Sequence, residues 1–246
     1  VTVNPSPRIN DITNAVFCNN ASAPAIGFSS PTSGATFNWV SNANVGFGAS
    51  GTGNIAAYTA VNIGATPVVA TVNITAQTAT CTGPARSFNV TVNPTPTVNT
   101  INNLTLCGGT GGAPINFGSP TPGTTFAWTS TADVGFGGSG SGNVGGYTVT
   151  SPVTSAVTTT VTVNPTANGC AGKEGKFTIT VNPTPKANLP NPNQICANST
   201  GVALNFSSET PNTNFNWSSS NDIGFGTSGS GNINGGYRVI NNSQDV

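Results

Sequence analysis

The feature that most constrains this fold is an internal repeat with a period of 89 residues. Three landmark residue types recur at that spacing: Cys18, Cys107 and Cys196; Trp39, Trp128 and Trp217; and Phe28, Phe117 and Phe206. Strict self-similarity over tens of residues is the signature of tandem structural units. The chain of 246 residues is therefore divided by its repeats rather than by its length.

Each repeat predicts several short β-strands separated by turns. In the second copy, apolar residues alternate with polar ones over 124–130, 157–164 and 176–182, the period expected of a strand with one buried face. Val and Thr favour strands, whereas Asn, Gly, Ser and Pro favour turns. Six or seven strands in 89 residues predict an all-β fold of tandem immunoglobulin-like β-sandwiches arranged end to end.

The boundaries between repeats are marked by an Asn-Pro-x-Pro sequence at 4–7, 93–96 and 182–185. Proline cannot donate to a strand ladder and fixes its own φ, so two prolines form a short, stiff joint. This spacing predicts four segments: residues 1–5, the last strand of a preceding repeat; 6–94, the first sandwich; 95–183, the second; and 184–246, a third that lacks its last strands.

The phase of the repeat leaves two interpretations open. One is a segment of a longer repeat array, which we favour. The other is donor-strand polymerisation, in which Val1–Val3 of one subunit completes the third repeat of the next. Both make neighbouring copies of the chain, or adjacent repeats of one long chain, the expected partners.

The cysteines also follow the repeat. Cys18 and Cys81 stand 63 residues apart, as do Cys107 and Cys170, which predicts disulfides Cys18–Cys81 and Cys107–Cys170 within the repeats. Cys196 would then pair with a residue outside the chain. A Cys81–Cys107 bond across the joint and buried free thiols are the alternatives. Disulfides imply an oxidising, exported location.

The composition lacks the residues that the common catalytic and metal sites need. The chain has no His, and its six carboxylates form no local pair, so histidine-based triads and paired-carboxylate hydrolysis have no candidates. We therefore expect no enzyme, cofactor or metal site. Charged residues make up 5% of the chain, and the net charge is zero. The chain therefore has no excess of basic residues that would bind nucleic acid. No apolar run is long enough to insert into a membrane.

The aromatic residues suggest contacts rather than catalysis. Trp39, Trp128 and Trp217 each follow a Phe by two residues, which predicts core packing on one strand face; a carbohydrate-binding platform, and hence a carbohydrate-binding module, is the alternative. A Gly-Phe-Gly sequence places Phe47, Phe136 and Phe225 between glycines. Core packing is the first interpretation for these phenylalanines, and self-association between copies is the second.

Two further motifs receive structural interpretations. Asp133 and Asp222 are equivalent, but the first copy has Asn44 there, which favours a turn-capping role over calcium binding. Residues 140–145 read GxGxxG, but the other copies break the pattern and a strand follows. We interpret this stretch as a glycine turn rather than a nucleotide site.

The repeat resembles the PKD-like and immunoglobulin-like repeats of giant secreted surface proteins of Bacteroidota. The motifs that carry the resemblance are KFTITVNPTP (176–185), PTANGC (165–170), the early cysteine, the Phe-x-Trp strand and the Ser-Gly-Ser-Gly-Asn turn. The resemblance implies export through the type IX system and a role in adhesion, gliding or extracellular filaments.

Overall fold

The computed structural model describes residues 3–150, 152 and 154–241, and every regular element within them is a β-strand. The first repeat contains β1 (Ala15–Cys18), β2 (Ser22–Ala23), β3 (Thr36–Ser41), β4 (Ser50–Thr52), β5 (Tyr58–Thr59), β6 (Val68–Gln77) and β7 (Arg86–Asn93). The second contains β8 (Leu104–Cys107), β9 (Gly111–Gly112), β10 (Thr125–Ser130), β11 (Ser139–Ser141), β12 (Tyr147–Thr148), β13 (Val157–Ala167), β14 (Cys170–Ala171) and β15 (Gly175–Asn182). The third contains β16 (Asn216–Ser218) and β17 (Ser228–Ser230).

The first two repeats share one sheet topology. In the first, a five-stranded sheet has the order β1-β7-β6-β3-β4, and β2 pairs with β5 separately. In the second, the order β8-β15-β13-β10-β11 is the same, with β14 added beside β13. β1 and β8 run parallel to β7 and β15, whereas the other neighbours are antiparallel. The predicted fold class, all-β with tandem immunoglobulin-like sandwiches, is confirmed.

The core of each sandwich comes from the two long strands at the centre of its large sheet. β6 buries every second residue, including Val72 and Ile74, and β7 buries Phe88 and Val90. Each such side chain contributes roughly 1.5–3 kcal/mol by leaving water. Residues outside the large sheet, such as Val45, pack against this face, which closes the second layer of the sandwich.

The third repeat is built differently within the described residues. β16 pairs with β17, and isolated bridges join Leu204 to Ile233 and Thr200 to Arg238. Val3, Asn4 and Pro5 of the predicted leading strand lie outside any strand, and Val1 and Thr2 fall outside the described residues, as do residues 242–246. The four segment boundaries remain predictions.

The Ser-Gly-Ser stretch, which is Ser-Gly-Thr in the first repeat, was interpreted from sequence as part of a turn but forms a short strand. β4 pairs with β3 so that Gly51 lies opposite Trp39, and Gly140 and Gly229 lie opposite the other two tryptophans. A Cβ on any of these glycines would overlap the indole ring of its Trp. The glycine is therefore required by close approach of a side chain, and a strand still forms because the ladder hydrogen bonds need no side chain.

Asn44, Asp133 and Asp222 cap one equivalent turn in the three repeats. The Asp133 carboxylate accepts hydrogen bonds from the N–H groups of Gly135 and Gly137, both at 2.8 Å. Asn44 accepts the matching pair through its amide oxygen at 3.0 Å. Gly135 and Gly137 have φ values of +119° and +96°, which only glycine adopts readily. These bonds fix the Gly-Phe-Gly loop.

We predict that Gly140→Ala destabilises the second repeat by about 1–3 kcal/mol, because the added methyl group overpacks against Trp128. Denaturant unfolding monitored by tryptophan fluorescence measures the change. Gly138→Ala is the matched control, since nothing lies within 4 Å of its Cβ position. Equal effects of the two substitutions would contradict the close contact.

We predict that Asp133→Asn changes how stability depends on pH. The N–H of Gly135, followed by that of Gly137, lowers the pKa of Asp133 below its ordinary 3.8. The carboxylate therefore contributes stability above its unfolded pKa, and the contribution is lost as pH falls through the lower folded value. The stability difference between the wild type and Asp133→Asn should shrink in acid.

Unfolding curves of both proteins, collected from neutral pH to well below 3.8, test this prediction. Asn44→Asp is the reciprocal variant, because it should introduce acid sensitivity into the first repeat at the equivalent turn. A difference between wild type and Asp133→Asn that stays constant across pH would show that the carboxylate charge has no part in the cap.

Candidate functional site

The candidate site is the joint between the first two repeats, where a disulfide connects them. Cys18, at the end of β1, is bonded to Cys170, at the start of β14, with their Cα atoms 5.6 Å apart. The two residues are separated by 152 positions in sequence. Cys170 is buried, with 1% of its surface exposed. The bond thus ties one sandwich to the next rather than closing a single sandwich.

The predicted pairings Cys18–Cys81 and Cys107–Cys170 are therefore wrong. β1 runs parallel to β7 with Cys18 opposite Asn93, the last residue of that strand. Cys81 lies in the turn before Arg86, where β7 begins. An eight-residue strand is about 25 Å long, whereas disulfide-bonded residues have Cα atoms roughly 6 Å apart. The two cysteines of one repeat therefore lie at opposite ends of a strand, too far apart to bond.

The alternative Cys81–Cys107 bond is also absent, because Cys81 and Cys107 are both free.

Asn93 is the residue that both repeats share at this joint. Its carbonyl accepts a hydrogen bond from the N–H of Asn19 at 2.8 Å, next to Cys18. Its side-chain amide donates to the carbonyl of Asn168 at 3.2 Å, in the turn before Cys170. Asn93 is only 7% exposed. The asparagine of the Asn-Pro-x-Pro sequence thus holds the two cysteine-bearing segments together.

The linker that follows also packs onto the second repeat. The N–H of Lys173 donates to the carbonyl of Pro96 at 3.0 Å, and Thr97 forms a parallel bridge with Lys173. A Cβ on Gly172 would overlap the Pro96 carbonyl. These contacts, in addition to the φ restriction of proline, limit the freedom of the chain between the repeats.

The three remaining cysteines are free thiols. Cys107 and Cys196 are exposed, and Cys81 is half-buried. Cys107 pairs with Asn182 in the β8–β15 ladder, as Cys18 pairs with Asn93. Cys196 occupies the equivalent sequence position of the third repeat.

The aromatic residues form a three-ring cluster in each repeat. Phe47 packs edge-on between Trp39 and Tyr58, with centroid distances of 5.7 and 5.0 Å. Equivalent clusters surround Phe136 and Phe225. Trp39 and Trp128 are buried at 6% and 5% exposure, whereas the Phe rings are half-buried. The Phe of each Gly-Phe-Gly is thus packed on Trp rather than displayed as a free side chain.

Ring packing, not hydrogen bonding, holds these clusters. The indole N–H groups of all three tryptophans and the hydroxyls of Tyr58 and Tyr147 are buried without a hydrogen-bond partner. Burial raises the pKa of both tyrosines. Edge-to-face aromatic pairs each contribute about 0.5–1.5 kcal/mol beyond their area, which offsets part of the cost of the unpaired polar atoms.

Trp217 differs from its two counterparts because it is only half-buried. Together with Phe206, Phe215 and Leu204 it lines a cavity of about 390 Å³. In the first repeat, the equivalent Phe28 and Trp39 are covered by the β6–β7 hairpin. The cavity is therefore the uncovered inner face of a sandwich.

Among the residues that the structure describes, no cluster of three or more His, Cys, Asp or Glu side chains occurs, nor any helix long and apolar enough to cross a membrane. The two salt bridges found, Arg86–Asp11 and Lys176–Glu174, join exposed side chains and are worth little. The most distinctive chemistry is that of the cysteines.

No protein-family model matches the chain, and no curated protein is significantly similar to it in sequence. Among solved structures, EC22–24 of mouse cadherin-23 has a TM-score of 0.50 at 9% identity, covering 96% of this chain and 88% of that one. EC21–23 of human CDH23 scores 0.47 at 11% identity, covering 98% and 91%. IG1+IG2 of DIP-gamma scores 0.42 at 10%, covering 72% and 98%. The likeness to cadherin-23 shows a shared fold of tandem β-sandwiches.

Proposed function

We propose that this chain is a structural repeat module of an extracellular bacterial surface adhesin, stalk or filament. Its disulfide-linked β-sandwiches form a semi-rigid rod that self-associates into fibres. The observation that carries this proposal is the Cys18–Cys170 bond between consecutive repeats. A bond of this kind resists separation of the repeats along the chain, and it requires an oxidising compartment of the sort that exported proteins occupy.

The composition of the surface supports a structural role. Only 12 of 246 residues carry a formal charge, six of each sign, so copies can approach side by side with little electrostatic repulsion. Large apolar side chains are also exposed on the sandwiches, including Val16 at 65%, Val40 at 55% and Ile63 at 97%. These features suit contacts with neighbouring copies of the chain or with adjacent repeats.

The resemblance of the repeat to those of giant secreted surface proteins of Bacteroidota supports the same proposal. The similar folds are likewise tandem modules, among them those of cadherin-23. The absence of His from the sequence and the lack of a metal-ligating cluster in the described residues are compatible with a binding or structural role.

We predict that the native material is elongated and lies outside the cell. Negative-stain microscopy should show rods or filaments, and antibodies against the chain should label intact cells. The control is a cytoplasmic protein that stays unlabelled until the cells are opened. Globular particles, or labelling that appears only after lysis, would refute the proposed function.

We also predict that the double variant Cys18→Ser/Cys170→Ser keeps both sandwiches folded but loosens their joint. The reason is that the main cores lie on the central strands, whereas the disulfide spans two repeats. Small-angle X-ray scattering of alkylated monomers should give a broader distance distribution for the variant. Cys107→Ser, which removes a free exposed thiol, is the matched control and should scatter like the wild type.

Scattering curves that coincide for the double variant and the wild type would contradict a mechanical role of the disulfide. Circular dichroism of both proteins separates this outcome from unfolding, because a variant that loses its β signal has lost the sandwiches rather than the joint.

A further inference from the structure

The five cysteines occupy only two positions in the repeat, which we call early and late. Cys18, Cys107 and Cys196 are early, and Cys81 and Cys170 are late. The one disulfide joins the early Cys18 of one repeat to the late Cys170 of the following repeat. We propose that Cys81 obeys the same rule and forms a disulfide with an early cysteine of an adjoining repeat of this kind.

The early position at Cys107 has the same backbone geometry as Cys18. Cys107 lies opposite Asn182 in a parallel pair of strands, as Cys18 lies opposite Asn93. The N–H of Gly108 donates to the carbonyl of Asn182 at 2.9 Å, the counterpart of the 2.8 Å bond from Asn19 to Asn93. The early position therefore has the same backbone setting in two repeats, at the strand end where Cys18 forms its bond.

The late position at Cys81 matches Cys170 on the other side of a joint. Asn4 donates from its side-chain amide to the hydroxyl of Thr80 at 3.1 Å, in the turn before Cys81. This corresponds to the contact of Asn93 with the turn before Cys170. The Cys81 Sγ lies 3.8 Å from the Asn4 carbonyl. An early cysteine paired with Asn4, as Cys18 is with Asn93, would therefore lie beside Cys81.

The residues at the disulfide-bonded joint are more buried than their counterparts beside the free cysteines. Asn93 and Cys170 are 7% and 1% exposed, whereas Asn4, Asn182 and Cys107 are exposed and Cys81 is half-buried. At Cys107, the repeat that follows contains no late cysteine within residues 184–246. At Cys81, the contacts with Asn4 match those of the bonded joint, but no second repeat covers them. The partner that fits Cys81 is therefore the early cysteine of another such repeat.

The chemistry is ordinary thiol–disulfide exchange. A Cys81 thiolate attacks a low-molecular-weight disulfide, forming a mixed disulfide and releasing one thiol. The thiolate of an early cysteine then attacks the Cys81 sulfur of the mixed disulfide, and the second thiol leaves. Two protein thiols are oxidised to a disulfide, one small disulfide is reduced to two thiols, and the two protons of the protein thiols end on those small thiols.

This inference deepens the proposed function, since it specifies the cross-link that would continue the rod beyond one joint. The early cysteine that meets Cys81 can come from a preceding repeat of the same longer chain or from the third repeat of a second copy, where it is Cys196. The chemistry is identical in the two cases, and the mass of the oxidised protein distinguishes them.

The experiment is disulfide mapping of the native protein and of its Cys81→Ser variant. Free thiols are blocked with N-ethylmaleimide, and the peptides are analysed by mass spectrometry without reduction. We expect Cys81 to be unlabelled and linked to an early cysteine. In Cys81→Ser that early cysteine should become labelled, while the Cys18–Cys170 peptide persists and reports that the fold is intact. Cys107→Ser, the control, should leave the Cys81 link unchanged.

Complete labelling of Cys81 in the native protein, or a link from Cys81 to another late cysteine, overturns the inference. A mass that falls on reduction identifies a second copy as the partner, and a mass that does not change identifies the same chain. Rods seen by microscopy in material with labelled Cys81 would overturn the cross-link rule alone and leave the proposed function standing.

Discussion

The structure depends on the buried face of the two long central strands in each sandwich. β6 and β7, and their counterparts β13 and β15, supply the fully buried Val and Ile side chains onto which the other residues pack. The third repeat shows that this packing is what covers the tryptophan of each sandwich. No such strand pair occurs among its described residues, and Trp217 is half-exposed beside a cavity, whereas Trp39 is buried.

The same central strands also set the position of the joint. β7 ends at Asn93, and β1 runs parallel to it and ends at Cys18. The carbonyl of Asn93 pairs with the first repeat, while its side chain contacts the turn that carries Cys170 in the second. The end of β7 is therefore in contact with both of the segments that carry the bonded cysteines.

The loops between strands depend on a few close contacts, and these contacts differ in which amino-acid substitutions they allow. Asn44 and Asp133 perform the same capping role because both present an oxygen to two glycine N–H groups. Gly51 and Gly140 have no such freedom, since an indole ring occupies the space of their Cβ. The cap positions vary between repeats, and the glycines opposite Trp do not.

Much of the fold could be predicted from the sequence because strand periodicity is a local property. The alternation over 157–164 and 176–182 corresponds to β13 and β15, and the fold class followed from the number of such runs. The edge strands at β4 and β11 were not predicted, because Ser-Gly-Thr and Ser-Gly-Ser have the composition of a turn. Their pairing depends on a neighbouring Trp strand that composition does not reveal.

What the sequence determined by itself was the repeat, the prolines between its copies and the absence of His. The tertiary structure decided which cysteines meet. Spacing along the chain made Cys18 and Cys81 look like partners, but a strand about 25 Å long separates them, and Cys18 instead meets Cys170. A disulfide forms between residues that are close in space, and only the packing of successive repeats brings these two together.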